Sequence, residues 1–170
     1  MKINKPNRKE FTYVQHLDGN AETAFKMLCP VVETKWLRYW DPELVVSDSG
    51  VAEPGCYFFT KINDEQTHWV ITEHKPQIGF VEMIKITPGK LYIKFTIVVT
   101  GQTPKTCLAE IKHTFTSIGD EGEKALNFIT EDWYKNRFMA VWENSMNHYL
   151  RTGEMLTDED HLAEMRKLTV

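Results

Sequence analysis

The feature that most restricts how this chain folds is a change of period late in its length. Up to residue 117 the apolar residues come in short runs rich in Val, Ile, Phe, Tyr and Thr, while from 130 to 150 they recur at three- and four-residue steps. The first pattern is that of strands and the second that of one helix face. The runs are 10–16 (EFTYVQH), 56–62 (CYFFTKI), 67–74 (THWVITEH), 79–87 (GFVEMIKIT), 90–100 (KLYIKFTIVVT) and 106–117 (TCLAEIKHTFTS). Asn63-Asp64, Lys75-Pro76, Pro88-Gly89 and the stretch 101–104 supply the turns between them, and such punctuation at roughly ten-residue spacing indicates an antiparallel meander. After the first run, Asp18 or Asn20 offers an N-cap for a helix over 21–29, with Ala24, Phe25 and Leu28 at helical spacing. Pro30 then opens a second short helix over 31–39, and Asp41-Pro42 closes the region as a turn.

The closing helix is expected over 130–150, with Tyr134, Phe138, Val141, Trp142, Ser145 and Tyr149 on one face. Thr130 is its candidate N-cap, Glu131 and Asp132 suit the positive end of the dipole, and Arg151 and Gly153 mark its stop. The strands alternate. In 90–100, Leu91, Ile93, Phe95, Ile97 and Val99 share a face; in 106–117, Cys107, Ala109, Ile111, His113 and Phe115 do; in 79–87, Phe80, Glu82, Ile84 and Ile86 do. A sheet with one apolar face needs a cover. One helix is about 10–12 Å wide, whereas strands stand about 4.8 Å apart, so a lone helix is too narrow for six or seven strands. The sheet must curl around the helix or leave a hollow beside it. The expected fold is α+β: a curved antiparallel six- to seven-stranded sheet wrapped around a long C-terminal helix, a helix-grip arrangement, with two short helices after the first strand. It occupies 1–156, and 157–170 is a charged tail with a weaker helical pattern.

Composition removes several functions. The net charge is −4 and the pI about 5.9, which gives no footprint for nucleic acid. No apolar run approaches the ~20 residues that span a bilayer. The opening residues, MKINKPNRKE, lack the apolar core of a secretory signal, so a cytoplasmic location is expected. Cys29, Cys56 and Cys107 show no CxxC spacing; they read as buried free thiols, with no metal site and no cofactor implied. Neither a nucleophile motif nor a phosphate loop is present. A homodimer is left open.

The order of elements, with the segments AFKMLCPVVETKW, WDPELVVSDSGVAEPGCYFFT, THWVITEHKPQIGFVEMIKITPG and FMAVWENSMNHYLRTGE, resembles bacterial members of the START-like, or SRPBCC, superfamily. That superfamily includes pollen-allergen proteins, lipid-transfer domains and polyketide cyclases. The resemblance runs over about 10–154 and implies an internal cavity for an apolar ligand. The two-His, one-carboxylate iron cluster of the Rieske-oxygenase branch has no counterpart here.

Within that frame Glu82 and His113 stand out, as ionisable groups on otherwise apolar strand faces. Counting from the hairpins places Glu82 near Phe95 and His113 near Ile93, on the order of 10 Å apart, where they orient or polarise a ligand; the alternative is that Tyr, Trp or backbone groups satisfy them. Trp69 offers an indole N–H in an apolar wall. Trp36 and Trp40 either cap the cavity mouth or pack in the core. Phe138, Trp142 and Met146 are the candidate contacts from the closing helix; Arg137, just off its stripe, either pairs with a ligand carboxylate or is solvated. His68 and His74 are expected on the exposed face. The leading expectation is a carrier or sensor of an apolar small molecule such as a lipid, polyketide or aromatic metabolite, not an enzyme. One alternative is a polyketide cyclase/dehydratase-like enzyme with Glu82 or His113 as general base; another is a co-chaperone-like module that binds a partner through its tail.

Overall fold

The structure, a computed structural model, describes residues 1, 3, 5–62 and 64–159. Seven strands, β1 (Arg8–Leu17), β2 (Pro42–Val46), β3 (Tyr57–Ile62), β4 (Glu65–Lys75), β5 (Phe80–Thr87), β6 (Leu91–Thr103) and β7 (Thr106–Ser117), form one sheet in the order β1-β7-β6-β5-β4-β3-β2. Every neighbouring pair is antiparallel. Helices α1 (Ala21–Lys26) and α2 (Pro30–Glu33) lie between β1 and β2, α3 (Gly119–Phe128) follows β7, and a π-helical run, Trp133–Met139, leads directly into α4 (Ala140–Thr152).

Local chemistry accounts for these boundaries. The Asn20 carboxamide oxygen accepts from the Thr23 N–H at 2.8 Å and caps α1. Pro30 sits at the first position of α2, where its missing N–H is not needed. Gly153, in the left-handed region at φ 75°, ends α4 and donates to the Tyr149 carbonyl. The register of β4 on β5 shifts between Ile71 and Glu73, and that of β6 on β7 between Gly101 and Thr103; such bulges bend and twist a sheet.

The concave face carries Phe58, Ile71, Val81, Met83, Ile93, Phe95, Ile97, Ala109, Ile111 and Phe115, all buried, and against them lie Tyr134, Met139 and Met146 of the closing helix. Each large apolar side chain so buried contributes about 1.5–3 kcal/mol. The convex face is wet and bears ion pairs, Lys94 with Glu82 at 2.7 Å and Lys112 with Glu10 at 2.8 Å.

The architecture is the expected one, with differences in detail. β2 begins at the Asp41-Pro42 turn and runs through a stretch for which no element is expected: it is a short, exposed edge strand with little apolar alternation. The second short helix is one turn, not 31–39, and the chain leaves it through Tyr39, held at φ 63°. α3 was not anticipated, because GDEGEKALNF buries only Gly122 and Leu126. The tail beyond residue 159 lies outside the described residues.

α3 is seated by close backbone approach, since a Cβ on Gly122 would stand 2.0 Å from the Lys90 carbonyl oxygen. Gly122→Ala is therefore expected to lower unfolding free energy by about 1–3 kcal/mol, read as a fall in the urea midpoint. An unchanged midpoint would show that α3 does not rest on the sheet in this way.

Candidate ligand-binding cavity

Between the concave sheet and the closing helix lies a cavity of about 430 Å³, within the ~300–1,000 Å³ usual for small-molecule sites. The sheet contributes Phe58, Trp69, Met83, Ile93, Phe95 and Phe115, the helix Trp133, Phe138, Val141 and Trp142, and the segment after α2 contributes Leu37, Tyr39 and Trp40. Tyr39 and Ile62, both strongly exposed, border its opening.

The wall is a chain of ring contacts. Trp40 meets Trp69 edge-on at 5.2 Å, Phe58 stacks on Trp69 at 5.5 Å, Trp69 meets Phe95 edge-on at 6.1 Å, and Phe95 stacks on His113 at 4.8 Å. Such pairs are worth about 0.5–1.5 kcal/mol each beyond area burial, so the wall is held in shape without a guest. Two of its indole donors are spent, Trp40 on the Pro30 carbonyl at 2.9 Å and Trp69 on the Thr60 hydroxyl at 3.0 Å; Trp36 behind the wall donates to the Met27 carbonyl at 3.0 Å, and the Trp142 N–H is buried without a partner among the described residues. The Trp69 N–H is thus not the free anchor expected of it.

The candidate residues divide. Trp40, Trp69, Phe95, His113, Phe138 and Trp142 come together around the cavity. Glu82 does not. β5 pairs Met83 with Phe95 and Glu82 with Thr96, so Val81, Met83, Lys85 and Thr87 face inward and Glu82 faces out. A one-residue offset exchanges every side chain between faces, and the apolar Phe80, Ile84 and Ile86 on the half-exposed outer side disguised it. Partial burial raises the Glu82 pKa, but hydrogen bonds from Lys94 and Thr72 outweigh this and hold it below the usual carboxylate value. Trp36 and Met146 are buried in the core and do not line the cavity: Trp36, beyond the end of α2, stacks behind Trp142 at 6.1 Å. The bulge at Ile71 brings His74 opposite Val81 on the inner side, against Phe25 at 5.1 Å; it is not on the exposed face.

The helix stripe shifted for a separate reason. The π run bonds with an i→i+5 pattern. Its rings Trp133 and Phe138 consequently fall in line, stacked at 5.4 Å and 7°, and its buried residues are Tyr134 and Met139. Phe138, expected as a ligand contact, is 39% exposed and lines the cavity, as does Arg137.

Three ionisable groups face this space, His113 and Glu33 buried and Lys85 half-buried. His113 lies opposite Phe95, not Ile93, with its Nδ1 in a hydrogen bond with the Tyr134 hydroxyl at 3.0 Å. Loss of hydration chiefly, and the positive charge of Lys85 secondarily, push its pKa down to about 3, so the ring is neutral and a weak base. Lys85 on β5 places its ammonium 4.6 Å from the centre of the Trp69 ring, and burial lowers its pKa to about 8. Glu33 at the end of α2 is buried, and loss of hydration raises its pKa to about 8. Sequence reading passed over Lys85 because the β5 faces were exchanged; counting Val81 and Met83 as the inner pair would have found it. Among the described residues, no group of three His, Cys, Asp or Glu is arranged to hold a metal ion.

The depressed pKa of His113 makes a signed prediction. The unfolded chain takes up this proton near pH 6.5 and the folded one only near 3, so stability falls as pH drops through that window. Glu33, with its folded pKa raised, acts oppositely, losing stability as pH rises from about 4.5 to about 8. In urea titrations at several pH values, His113→Phe should flatten the decline between pH 6.5 and 4 relative to wild type. Parallel curves would contradict a buried neutral imidazole.

No family model matches the chain, and no curated protein matches it either. Solved structures do. Norcoclaurine synthase from Thalictrum flavum, in complex with dopamine and hydroxybenzaldehyde, superposes with a TM-score of 0.62 at 12% identity, over 86% of this chain and 88% of that one. Ara h 8.0201 gives 0.58 at 10% identity, over 86% and 99%. The di-domain ARO/CYC protein BexL gives 0.58 at 16% identity, over 84% of this chain and 46% of that one. At these identities the likeness is one of fold, and the chain has the helix-grip fold of the SRPBCC/Bet v 1 superfamily.

Proposed function

We propose that this protein is a carrier or sensor that binds an apolar small molecule, such as a lipid, polyketide or aromatic metabolite, in the cavity between sheet and closing helix. The observation that carries the reading is the space of about 430 Å³, walled by aromatic rings that already contact one another. A preformed apolar site loses little conformational freedom on binding, and each Å² of apolar surface removed from water contributes about 25 cal/mol. Micromolar affinity, about −8.2 kcal/mol, is within reach of a guest the size of two fused rings. Three buried free thiols suit a reducing cytoplasm. No helix among the described residues is long and apolar enough to cross a membrane.

A second reading, an enzyme of the cyclase or dehydratase kind, draws on Lys85 and Glu33, whose pKa values of about 8 suit proton transfer near neutral pH. It does not draw on Glu82, which faces away from the cavity, nor on His113, whose pKa is too low for a general base.

Titration with the neutral fluorophore N-phenyl-1-naphthylamine is expected to give a saturable rise in fluorescence. Val141→Trp, which fills the cavity from the helix side, should weaken that binding about tenfold or more while the circular dichroism and melting transition stay cooperative. A linear, unsaturable rise, or equal affinity in the variant, would place the dye elsewhere.

A further inference from the structure

Several polar groups at the cavity gather on three adjacent strands. β3, β4 and β5 gather Thr60, Thr67, Thr87 and Lys85 at one end of the concave face, where Thr60 pairs with Thr67 and Trp69 with Lys85. Adjacent strands place such side chains about 5 Å apart, and diagonal neighbours about 7–8 Å. Each group has a donor to spare. The Thr60 hydroxyl accepts from the Trp69 indole at 3.0 Å, and its own proton has no acceptor among the described residues. The Thr67 and Thr87 hydroxyls share one hydrogen bond at 2.9 Å, which leaves one of their two protons unused. Lys85 has no ion pair or hydrogen bond among the described residues; its contact is the face of Trp69. Glu33 lines the same cavity but is not paired with Lys85, and its raised pKa keeps most of it protonated at neutral pH. Lys61, Arg137 and Asp41 also line the cavity. One end of an apolar cavity therefore holds a half-buried cation and two hydroxyl donors with no acceptor among the described residues.

We infer that the guest is an amphipathic monoanion, an aromatic or other apolar body bearing one carboxylate, with the carboxylate seated on Lys85 and the Thr60 and Thr67 hydroxyls. This deepens the binding reading and rests on it. A carboxylate has about four acceptor positions and no donor, the complement of what this corner offers. Charge-assisted hydrogen bonds are about twice as strong as neutral ones, and the anion supplies the counter-charge that a desolvated ammonium lacks. The aromatic wall takes the remainder of the guest.

Calorimetric titration of the full chain with 2-naphthoate and with the neutral 2-naphthalenemethanol separates the two layers of the account. Wild type should bind the acid about tenfold or more tighter than the alcohol, as one charge-assisted hydrogen bond allows. Lys85→Met, of similar length and without charge, should abolish that preference by weakening the acid while leaving the alcohol within about threefold; Lys85→Arg should retain it. Equal binding of the two probes by wild type, or a preference that survives in Lys85→Met, overturns the anchor and leaves the cavity reading standing. Binding of neither probe overturns both.

Discussion

The structure turns on a mismatch of widths. One helix of about 10–12 Å diameter is set against a concave sheet of seven strands spaced about 4.8 Å apart, and side chains alone do not fill the difference. Toward β1 the helix lies close, with Glu143 accepting from the Tyr13 hydroxyl at 2.6 Å and Met139, Ser145 and Met146 buried. Toward β3 and β4 the sheet curves away, and the space of about 430 Å³ opens. The π run sits at this transition. Its extra residue per turn brings Trp133 and Phe138 onto one line above the cavity while Tyr134 stays buried on His113.

The chemistry of the hollow follows from which polar groups found partners during folding. Of the wall tryptophans, Trp40 and Trp69 spend their N–H groups on the Pro30 carbonyl and the Thr60 hydroxyl, which fixes their rings, while the Trp142 N–H is buried without a partner among the described residues. His113 spends its Nδ1 on Tyr134 and stays neutral. Lys85 and Glu33 spend nothing on one another. Burial raises the Glu33 pKa and lowers that of Lys85, each to about 8, so at neutral pH Glu33 is mostly neutral and Lys85 is mostly a cation with no ion pair among the described residues.

Much of this was legible in the chain. Alternation in 90–100 and 106–117 named the inner faces of β6 and β7 correctly, since Ile93, Phe95, Ile97, Val99, Ala109, Ile111, His113 and Phe115 are buried there. The width argument then implied the hollow. Three things were hidden, each for a local reason. β5 is apolar on both faces, so alternation could not tell Glu82 from Lys85, and only the pairing of Met83 with Phe95 decides it. The π run breaks the helical count and brings Trp133, absent from the expected stripe, into line with Phe138, and i→i+5 bonding leaves no simple residue signature. The loop after α2 separates Trp36 from Trp40 by turning at Tyr39, so one ring enters the core and the other the cavity wall.

The most direct measurement of the central claim is isotope-filtered NMR of the complex with a neutral naphthalene probe, recording which protein methyl groups show intermolecular NOEs. The account predicts contacts to Met83, Leu91, Ile93 and Val141, residues drawn from sheet and helix that meet only across the cavity. NOEs confined to outer-face or edge methyls such as Ile86, Val14 and Val46, with the cavity methyls silent, would contradict it.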